Sequence, residues 1–503
     1  MGWELTIHTI DVGQGESSLI VVKHDGAIVR TMLIDGGLQG AAASVNAYLD
    51  HWNISSVDVV VVSHYDDDHS GGIIELLKAD NIEIYCKEIA QHIYDNIIVV
   101  YKYAQSPYLI TAVAAGMCAL LSGAYDYEGN NVLCVMKGAI TYAINCIQDW
   151  GVIVDAYVVD AIKNTENYIK NWKREGTARY LNSRLFFKNM DVIYEVSKRV
   201  NRDINVDQLY IILYQSLGIQ NAGGRIRGKF KKSIVIDTGD DCNMPGDYES
   251  VACGFLPQSS VKVPWVNTRK RVTPEVGTEV FSSLHPAEGC PVEIYVMAIN
   301  RCVWPRKHID KEEINANYDC IGLVLRFGSF YYYTGGDLPS EGEDKIAASI
   351  MNDKLQHRLF PVPTQGITAF KCGHHGSHYS TSQYFLRTLR PKVALISCGE
   401  KGEYDHPHQR VITDLYRYVL CFFLTGCPYE REGIPATFGD KIQLGVPGNK
   451  AFVAGGTGSK GHIVFSIRRE DQELDPGPIL GVTYYEWDMF GGRGGNITWK
   501  IEW

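Results

Sequence analysis

The chain has 503 residues, of which 45% are hydrophobic and 21% are charged. This length exceeds that of a single small core, and it predicts either two structural units or one large fold with an insertion. The formal net charge of −10 argues against a protein that coats nucleic acid with its whole surface, but it leaves room for a local basic face.

The thirteen cysteines are odd in number and include no C-x-x-C pair. Such scattering is typical of a reducing compartment rather than of a disulfide framework. Residues 1–5 contain no basic segment, so we expect no signal peptide and a cytoplasmic location. The most apolar window, residues 109–125, contains glycine, serine and threonine, and it predicts a buried helix and no membrane contact.

The first 85 residues alternate short strands with helices. Residues 3–23 predict two strands around a glycine turn, and residues 28–34 predict a strand that ends at Asp35. A helix is expected over 41–51, a buried strand over 57–63 and a short helix over 72–78. This rhythm is typical of a layered α/β fold.

Longer helical patterns replace the hairpins between about residues 86 and 285. Within this range, residues 163–232 hold fifteen Lys and Arg against six Asp and Glu. Such a stretch fits either solvated helix faces or a surface that meets nucleic acid or phosphate. We therefore predict a core over 1–85, a mainly helical insertion over 86–285 that caps the substrate or binds a partner, and a second core segment with a C-terminal extension over 286–503.

Strand patterns return at 292–299, 321–327 and 330–333, and the last of these leads to Asp337. A helix near 343–351 is followed by strands over 367–370 and 393–397, which precede further histidines. Each polar cluster thus follows an apolar strand. In a layered α/β protein such strand ends gather at one edge of the sheet, where ligands that are distant in sequence converge.

The run from His64 to His69 places two imidazoles and three carboxylates on one turn. Groups this close resist desolvation unless a cation neutralises them or they stay in water. A pair of divalent metal ions is the economical explanation.

The chain resembles the metallo-β-lactamase superfamily, whose signature H-x-[HD]-x-D-H follows a buried strand, and more narrowly the soluble domain of the ComEC competence proteins and their stand-alone relatives. The matching blocks keep the family's order, and they are Asp11–Glu16, Ile34–Gly37, His64–Gly72, Leu323–Asp337, Lys371–Ser382 and His406–His408. The resemblance implies an α/β fold, namely a four-layer αββα metallo-β-lactamase sandwich interrupted by the helical insertion.

The resemblance also implies two metal ions held by histidines and aspartates, namely His64 and Asp66 for the first ion, Asp68 and His69 for the second, Asp337 as a bridge, and His374 or His375 to complete the second site. We favour His374 for that last position. Asp35, and with it Asp11, would orient ligands through hydrogen bonds. The family's third motif usually supplies a histidine, but residues 315–322 contain none, so Asp319 or Asn317 would bind weakly or the first site would fill only with substrate.

Two divalent ions suit hydrolysis because they lower the pKa of a bridging water and hold both the attacking and the leaving oxygen. Asp66 adds an oxygen donor where the superfamily often has histidine, so Mn²⁺ is a rival to Zn²⁺, which is our first choice. Two cysteines near the motifs, Cys320 and Cys372, are expected to be packing residues rather than ligands.

Further residues are expected to act on the substrate. The hydroxyl-bearing residues near the second histidine pair would hold a phosphate, and they are Ser377, Ser380, Thr381 and Ser382. Asp68, His406 and His408 are the expected catalytic residues, and one of the two histidines would protonate a leaving alkoxide.

These patterns predict a metal-dependent hydrolase, most simply a phosphodiesterase or nuclease that acts on DNA or RNA through a metal-activated water. Fold alone does not fix the substrate. One alternative is a hydrolase of a small molecule, such as a cyclic nucleotide, phosphoester or lactone, with the insertion as a lid. The other is a subunit of a defence or regulatory complex whose insertion docks a protein partner that activates it.

Overall fold

The computed structural model describes residues 2–81, 83–84, 226–239, 243–246, 248–254, 269–281, 289–305, 307–309, 315–352, 366–399, 406–426, 451–453, 461–473, 479–487 and 493–502. Most of the predicted insertion, including its basic stretch up to residue 225 and the apolar window at 109–125, lies outside these residues. The prediction of a mainly helical insertion therefore stays a prediction.

The strands of the described chain are β1 (Trp3–Thr9), β2 (Ser18–His24), β3 (Ala27–Ile34), β4 (Val59–Val61), β5 (Ile234–Ile236), β6 (Lys270–Val272), β7 (Val292–Ile299), β8 (Cys302–Val303), β9 (Lys307–His308), β10 (Gly322–Phe327), β11 (Phe330–Thr334), β12 (Ala369–Lys371), β13 (Val393–Ile396), β14 (Cys421–Leu424), β15 (Ala451–Val453), β16 (Gly461–Arg468), β17 (Ile479–Trp487) and β18 (Arg493–Glu502). The α-helices are α1 (Ala42–His51), α2 (67–81), α3 (Tyr248–Ala252), α4 (Ser340–Asn352), α5 (Gln383–Leu389) and α6 (Gln409–Tyr418).

The described strands form two mixed sheets of nine strands each. The first has the order β18-β17-β16-β1-β2-β3-β4-β5-β6, and the second has the order β15-β14-β13-β12-β11-β10-β7-β8-β9. Antiparallel hairpins form one half of each sheet, whereas β3 to β6 and β11 to β15 run parallel. The carboxyl ends of the parallel strands therefore share one edge in each sheet.

The main core lies between the two sheets. Because side chains alternate across a strand, every second residue points inward. Inward residues of both sheets form one cluster, which includes Ile7, Ile20 and Met32 from the first sheet and Leu323, Leu325, Tyr332 and Phe423 from the second. This shared burial of apolar surface is the dominant stabilising term for the sandwich.

Helices cover the outer faces of both sheets. On the second sheet, the alternate residues Val324, Tyr333 and Phe370 form a separate cluster with Ile346 of α4, Phe385 of α5 and Leu415 of α6. On the first sheet, Tyr48 of α1 is buried and its hydroxyl lies 2.8 Å from Nδ1 of His8 in β1. The helix–sheet–sheet–helix layers confirm the predicted metallo-β-lactamase sandwich.

The sequence analysis placed residues 234–236 and 270–272 in the insertion, whereas the structure pairs them with the first sheet. Strand β5 lies parallel to β4, and β6 lies parallel to β5. The sequence did not show that these short strands join the first sheet, because strand pairing is a long-range contact.

By contacts, the chain forms two compact units. The first comprises Met1–Leu76, Lys232–Pro245 and Lys270–Trp503, and the second comprises Leu77–Lys231 and Gly246–Arg269. In the second unit, the buried guanidinium of Arg269 donates to the carboxylate of Asp80 at 2.6 Å. Within the described residues, no helix combines the length and the apolar character that a membrane span requires.

Candidate metal centre

Polar residues follow the carboxyl ends of parallel strands in both sheets. Asp35 follows β3, His64 to His69 follow β4, Asp337 follows β11, His374 and His375 follow β12, and Ser397 follows β13. Burial is high along this edge, because the side chains of His64, His69, Asp337 and His375 are at most 4% exposed. A buried group of histidines and carboxylates thus forms in the first unit.

The aspartate run begins helix α2 rather than preceding it. The carbonyl oxygen of Asp66 accepts hydrogen bonds from the N–H groups of His69 and Ser70 at 3.0 and 2.9 Å. The expected helix start at residue 72 is therefore wrong by five residues. Acidic residues are favourable in a first helical turn because they face the positive end of the helix dipole, and this favours the earlier start.

Glycines hold this turn against two neighbouring loops. A Cβ atom on Gly72 would lie 1.9 Å from the carbonyl oxygen of Gly36, so only glycine fits there. Gly15 has φ of +131°, and its Cβ would lie 2.5 Å from the carbonyl oxygen of Asp68. The glycine blocks that the resemblance picked out are thus the points of closest backbone approach around His69.

His69 and His375 face each other through their Nε2 atoms, which are 3.2 Å apart. Nδ1 of His69 lies 2.8 Å from the Asp35 carboxylate, and Nδ1 of His375 lies 3.0 Å from the carbonyl oxygen of Ser397. A carbonyl or an ionised carboxylate only accepts, so both Nδ1 atoms carry protons. Both Nε2 atoms are therefore the ring positions left to bind a cation.

His64 is oriented in the same way through Ser63. The Ser63 hydroxyl donates to Asp35 at 2.6 Å, so it has no proton left for Nδ1 of His64 at 3.1 Å and accepts one from it. Nε2 of His64 is buried and makes no hydrogen bond in the described part of the chain, although a carboxylate oxygen of Asp66 lies 3.4 Å away. A third imidazole thus presents its Nε2 to the group.

Asp337 lies between the histidines. Its Oδ1 is 3.1 Å from Nε2 of His69 and 3.7 Å from Nε2 of His375, and its Oδ2 is 3.5 Å from Nε2 of His374. Ligand atoms of His64, His69 and Asp337 all lie within 4.8 Å of one another, and so do those of Asp68, His69 and His375. Asp337 and His69 therefore occupy the centre of the group.

The residues fit a cation. Two buried atoms, Nε2 of His64 and Oδ1 of Asp337, make no hydrogen bond within the described residues, and two imidazole nitrogens meet at 3.2 Å. Burial alone would raise the pKa of Asp337, but His69, His375 and His374 hold that pKa well below the usual range. The carboxylate therefore stays ionised among the imidazoles, and a divalent metal ion would bind both the carboxylate and the neutral rings.

Of the two adjacent histidines, His375 rather than the favoured His374 joins the second group. Nε2 of His375 lies 3.3 Å from Asp68 Oδ2, and its ring is buried. The ring of His374 is 25% exposed and lies with its centroid 5.1 Å from that of His406. The left-handed backbone at both positions, with φ of 50° and 53°, turns the two rings in different directions.

His406 lies beside the group but prefers to be neutral. Burial and the nearby rings of His374, His375 and His408 lower its pKa to about 3. At neutral pH it therefore presents a neutral ring, which is unlike the protonated acid expected from sequence. His408 lies one ring further out, with its centroid 4.9 Å from that of His406.

Most of the expected phosphate-binding hydroxyls are used inside the protein. The Ser380 hydroxyl donates to the carbonyl of Leu338 at 2.9 Å, and the Ser382 hydroxyl donates to the carboxylate of Asp344. The Thr381 hydroxyl accepts from the N–H of Gly373 at 3.2 Å, and the Ser377 hydroxyl accepts from the N–H of Tyr379 at 3.3 Å. The structure thus gives Ser380 and Ser382 the task of holding the histidine loop rather than a phosphate.

Of the remaining expected ligands and orienting residues, it is Asp35 that contacts the metal-binding group in the described part of the chain. Asp35 bonds both Ser63 and His69, as expected of an orienting carboxylate. Asp11 instead accepts from the N–H of Gly13 at 3.0 Å and shapes its own turn. Asp319 pairs with Arg301 at 3.3 Å and belongs to no metal-capable group of the described chain, while the N–H of Asn317 bonds Asn315.

Sequence reasoning missed the buried ion pair behind the site. Lys371 donates to the Glu16 carboxylate, and both side chains are fully buried. Nζ of Lys371 is also 3.5 Å from the carbonyl oxygen of Gly336, while Oε2 of Glu16 is 3.9 Å from Nδ1 of His69. Burial alone would lower the pKa of Lys371, but Glu16 raises it. The sequence signal for this pair was that Glu16 and Lys371, which carry opposite charges, stand at the ends of two glycine-containing motif blocks.

The two cysteines near the motifs are buried. The thiols of Cys320 and Cys372 are fully inaccessible, and burial raises the pKa of both. Neither belongs to a metal-capable group among the described residues. The expectation that they pack rather than ligate agrees with this placement.

Comparison with known proteins gives a family match to one part of the chain. The family model described as the metallo-beta-lactamase superfamily matches residues 10–111. The chain is 34% identical over 104 residues to ComE operon protein 3 of Bacillus subtilis, covering 21% of this chain and 12% of that protein. It is 33% identical over 81 residues to Recombination protein 2 of Haemophilus influenzae, covering 16% of this chain and 10% of that protein. The matches thus span about a tenth of each relative.

Proposed function

From the premise that this chain contains a metallo-β-lactamase superfamily domain, we propose that it is a metal-dependent hydrolase of phosphodiester bonds in DNA or RNA. Members of this superfamily are metal-dependent hydrolases. The observation that carries the proposal is the meeting of His69 Nε2, His375 Nε2 and Asp337 Oδ1 within 3.7 Å, with each ring oriented through its Nδ1.

Two ions would be held by the two overlapping groups. His64 and Asp337 would hold the first, joined by Asp66, whose carboxylate lies 3.4 Å from Nε2 of His64, while Asp68, His69 and His375 would hold the second, with Asp337 reaching both. Asp35 fixes the tautomers of His69 and, through Ser63, of His64. When bound, such a metal pair supplies an activated water and charge stabilisation at the attacking and leaving oxygens.

The choice of metal follows from the donors. The three imidazoles suit Zn²⁺, whereas the three carboxylates also suit Mn²⁺. We propose Zn²⁺ first, with Mn²⁺ as the ion to test beside it. Because each imidazole already donates through Nδ1 to Ser63, Asp35 or Ser397, the rings would bind without rearranging.

The open side of the group is the side on which substrate would arrive. The side chain of Asp66 is 50% exposed, and those of Asp68 and His374 are 24% and 25% exposed. His374 lies on this side, with the buried and neutral His406 beside it, and would donate a ring N–H group to a substrate oxygen. The names of the two relatives, one a recombination protein, support a nucleic-acid substrate over a small molecule.

The test uses a double variant, Asp68→Ala with His69→Ala, on labelled single-stranded DNA and RNA with Zn²⁺ or Mn²⁺. We expect wild-type cleavage that a chelator stops and no cleavage by the double variant. Asp67→Ala is the matched control, because Asp67 lies in the same run, is exposed and belongs to no metal-capable group of the described chain. Full activity in the double variant, with an unchanged circular dichroism spectrum, would overturn the proposal.

A salt titration separates polymer from small-molecule substrates. Binding to a nucleic acid that contacts several phosphates weakens steeply with salt, because counterions are released. We expect the KM for an oligonucleotide to rise steeply between about 50 and 200 mM salt. A flat salt dependence would favour the small-molecule alternative.

A further inference from the structure

A continuous row of aromatic rings leads from the metal-binding group to the protein surface. Its members are His374, His406, His408, His378 and Tyr379. Successive ring centroids are separated by 5.1, 4.9, 4.4 and 4.0 Å. The inner end touches the proposed substrate side, because Nε2 of His374 lies 3.5 Å from Asp337. We call this set the ring row.

The outer end of the ring row is an exposed tyrosine on a fixed backbone. Tyr379 is 64% exposed, more than any other large hydrophobic residue reported in the described chain. Its N–H bonds the Ser377 hydroxyl at 3.3 Å, and its carbonyl accepts from the N–H and the hydroxyl of Ser340 at 2.8 and 2.6 Å. The backbone of Tyr379 is thus fixed, and its ring packs against His378 with centroids 4.0 Å apart, which lowers the entropic cost of stacking a further ring on it.

The segment between the histidines is also tied down. One guanidinium nitrogen of Arg410 donates to the carbonyl oxygens of His378 and Ser380 at 2.7 and 2.8 Å. Nδ1 of His408 accepts from the N–H of His378 at 3.2 Å. Arg410 is partly exposed and pairs with Asp414, whose carboxylate oxygen lies 3.7 Å from Nη1, so a paired guanidinium lies beside the outer rings. The backbone of the ring row is thus preorganised, with one guanidinium beside it.

Resting on the proposed phosphodiesterase function, we propose that Tyr379 is the stacking site for a nucleobase of the same strand whose phosphate is held at the metal centre. A nucleobase is the flat partner that an exposed tyrosine face accepts, and every base offers such a face. The adjacent Arg410 suits the negative charge of the connecting backbone. Tyr379 would then set which phosphodiesters are good substrates without touching the reacting atoms.

Tyr384 is the natural comparison. It is 49% exposed and lies five residues further along the chain, in α5. Within the described part of the chain no ring contact joins it to the ring row. Both tyrosines are therefore exposed near the histidine loop, but of the two only Tyr379 is connected to the metal-binding group by ring contacts among the described residues.

The experiment measures kcat/KM with Zn²⁺ or Mn²⁺ on a single-stranded oligonucleotide and on the same strand with a single abasic site, placed in turn at each nucleotide near the scissile bond. We expect Tyr379→Ala to lower the preference for the base-bearing strand roughly tenfold, mainly through KM, as loss of one base stack does. Tyr379→Phe keeps the ring and should retain the preference. Tyr384→Ala should behave like the wild type.

A third substrate, the p-nitrophenyl ester of thymidine 5′-phosphate, distinguishes a free nucleotide from a strand as the source of the base. A higher KM for this ester in Tyr379→Ala supports stacking of a mononucleotide. A higher KM for the strand alone supports stacking within a polymer. An unchanged preference in Tyr379→Ala, or an equal loss in Tyr384→Ala, would overturn the stacking site. Wild-type protein that hydrolyses none of the three substrates would instead overturn the proposed function.

Discussion

His69 and His375, which are 306 residues apart in sequence, place their Nε2 atoms 3.2 Å from each other. Each ring uses its Nδ1 to donate elsewhere, to Asp35 in one case and to the carbonyl of Ser397 in the other. Two facing acceptors repel unless a proton or a metal ion lies between or beside them. The two sheets therefore each contribute one imidazole nitrogen to a position that a cation would stabilise.

Ser63 is predicted to control metal affinity without being a ligand. Ser63→Ala removes the hydroxyl that accepts from His64 and donates to Asp35. Loss of such a hydrogen bond behind a ligand typically weakens metal binding 10- to 100-fold. Competition with a chromogenic chelator measures this.

Ser70→Ala is the matched control, since the Ser70 hydroxyl donates to the carbonyl of Tyr65 in the same segment and bonds no ligand. Equal metal affinity in the wild type and Ser63→Ala would show that the serine does not orient His64.

Removing one member of the buried pair Glu16 and Lys371 is predicted to lower the free energy of unfolding strongly. Lys371→Met leaves the Glu16 charge buried and unpaired, which costs about 3–5 kcal/mol of unfolding free energy. Urea unfolding measures the loss. The double variant Glu16→Gln with Lys371→Met removes both charges and should recover a large part of it.

A double variant as unstable as Lys371→Met alone would contradict the charge-pair account. It would point to packing of the lysine stem as the main contribution.

Glu343 is predicted to make stability depend on pH. It is fully buried, and burial raises the pKa of its carboxyl to about 8 while one oxygen accepts from the N–H of Thr381. Between pH 4.5, the ordinary pKa of a glutamate carboxyl, and pH 8, Glu343 therefore keeps its proton in the folded protein and loses it in the unfolded chain. The contribution of Glu343 to the free energy of unfolding is complete below pH 4.5, and it falls by roughly 1 kcal/mol per pH unit as the pH rises towards 8.

Glu343→Gln should abolish this slope, because the amide stays neutral and still accepts from Thr381. Glu341→Gln, in the same helix but about one third exposed, should keep it. Urea midpoints at pH 5, 6, 7 and 8 test both variants, and a slope that persists in Glu343→Gln would assign it to another group.

Much of the fold was predictable from sequence because apolar periodicity marks the longer strands. The patterns over 28–34, 292–299 and 330–333 predicted β3, β7 and β11 to within one residue. The membership of the short strands β5 and β6 in the first sheet was not predicted, since an apolar run does not show which strand it pairs with. Their place in the sheet depends on pairing with β4, a long-range contact.

The candidate site was predictable in its ligand types but not in its orientation. Histidines and aspartates at strand ends pointed to convergence, whereas the choice between His374 and His375 depends on two left-handed backbone positions. Ser63 and Lys371 carried no motif of metal binding. Their roles follow from which atom each hydrogen bond uses, and only coordinates give that.

The most direct test of the two-ion account is the metal content of the purified protein after saturation with Zn²⁺ or Mn²⁺ and removal of loose metal. We predict two ions per chain in the wild type and one in His375→Ala, which loses a ring held against Asp68 and His69. Wild-type protein that retains no metal, or His375→Ala that retains two ions, would contradict the account.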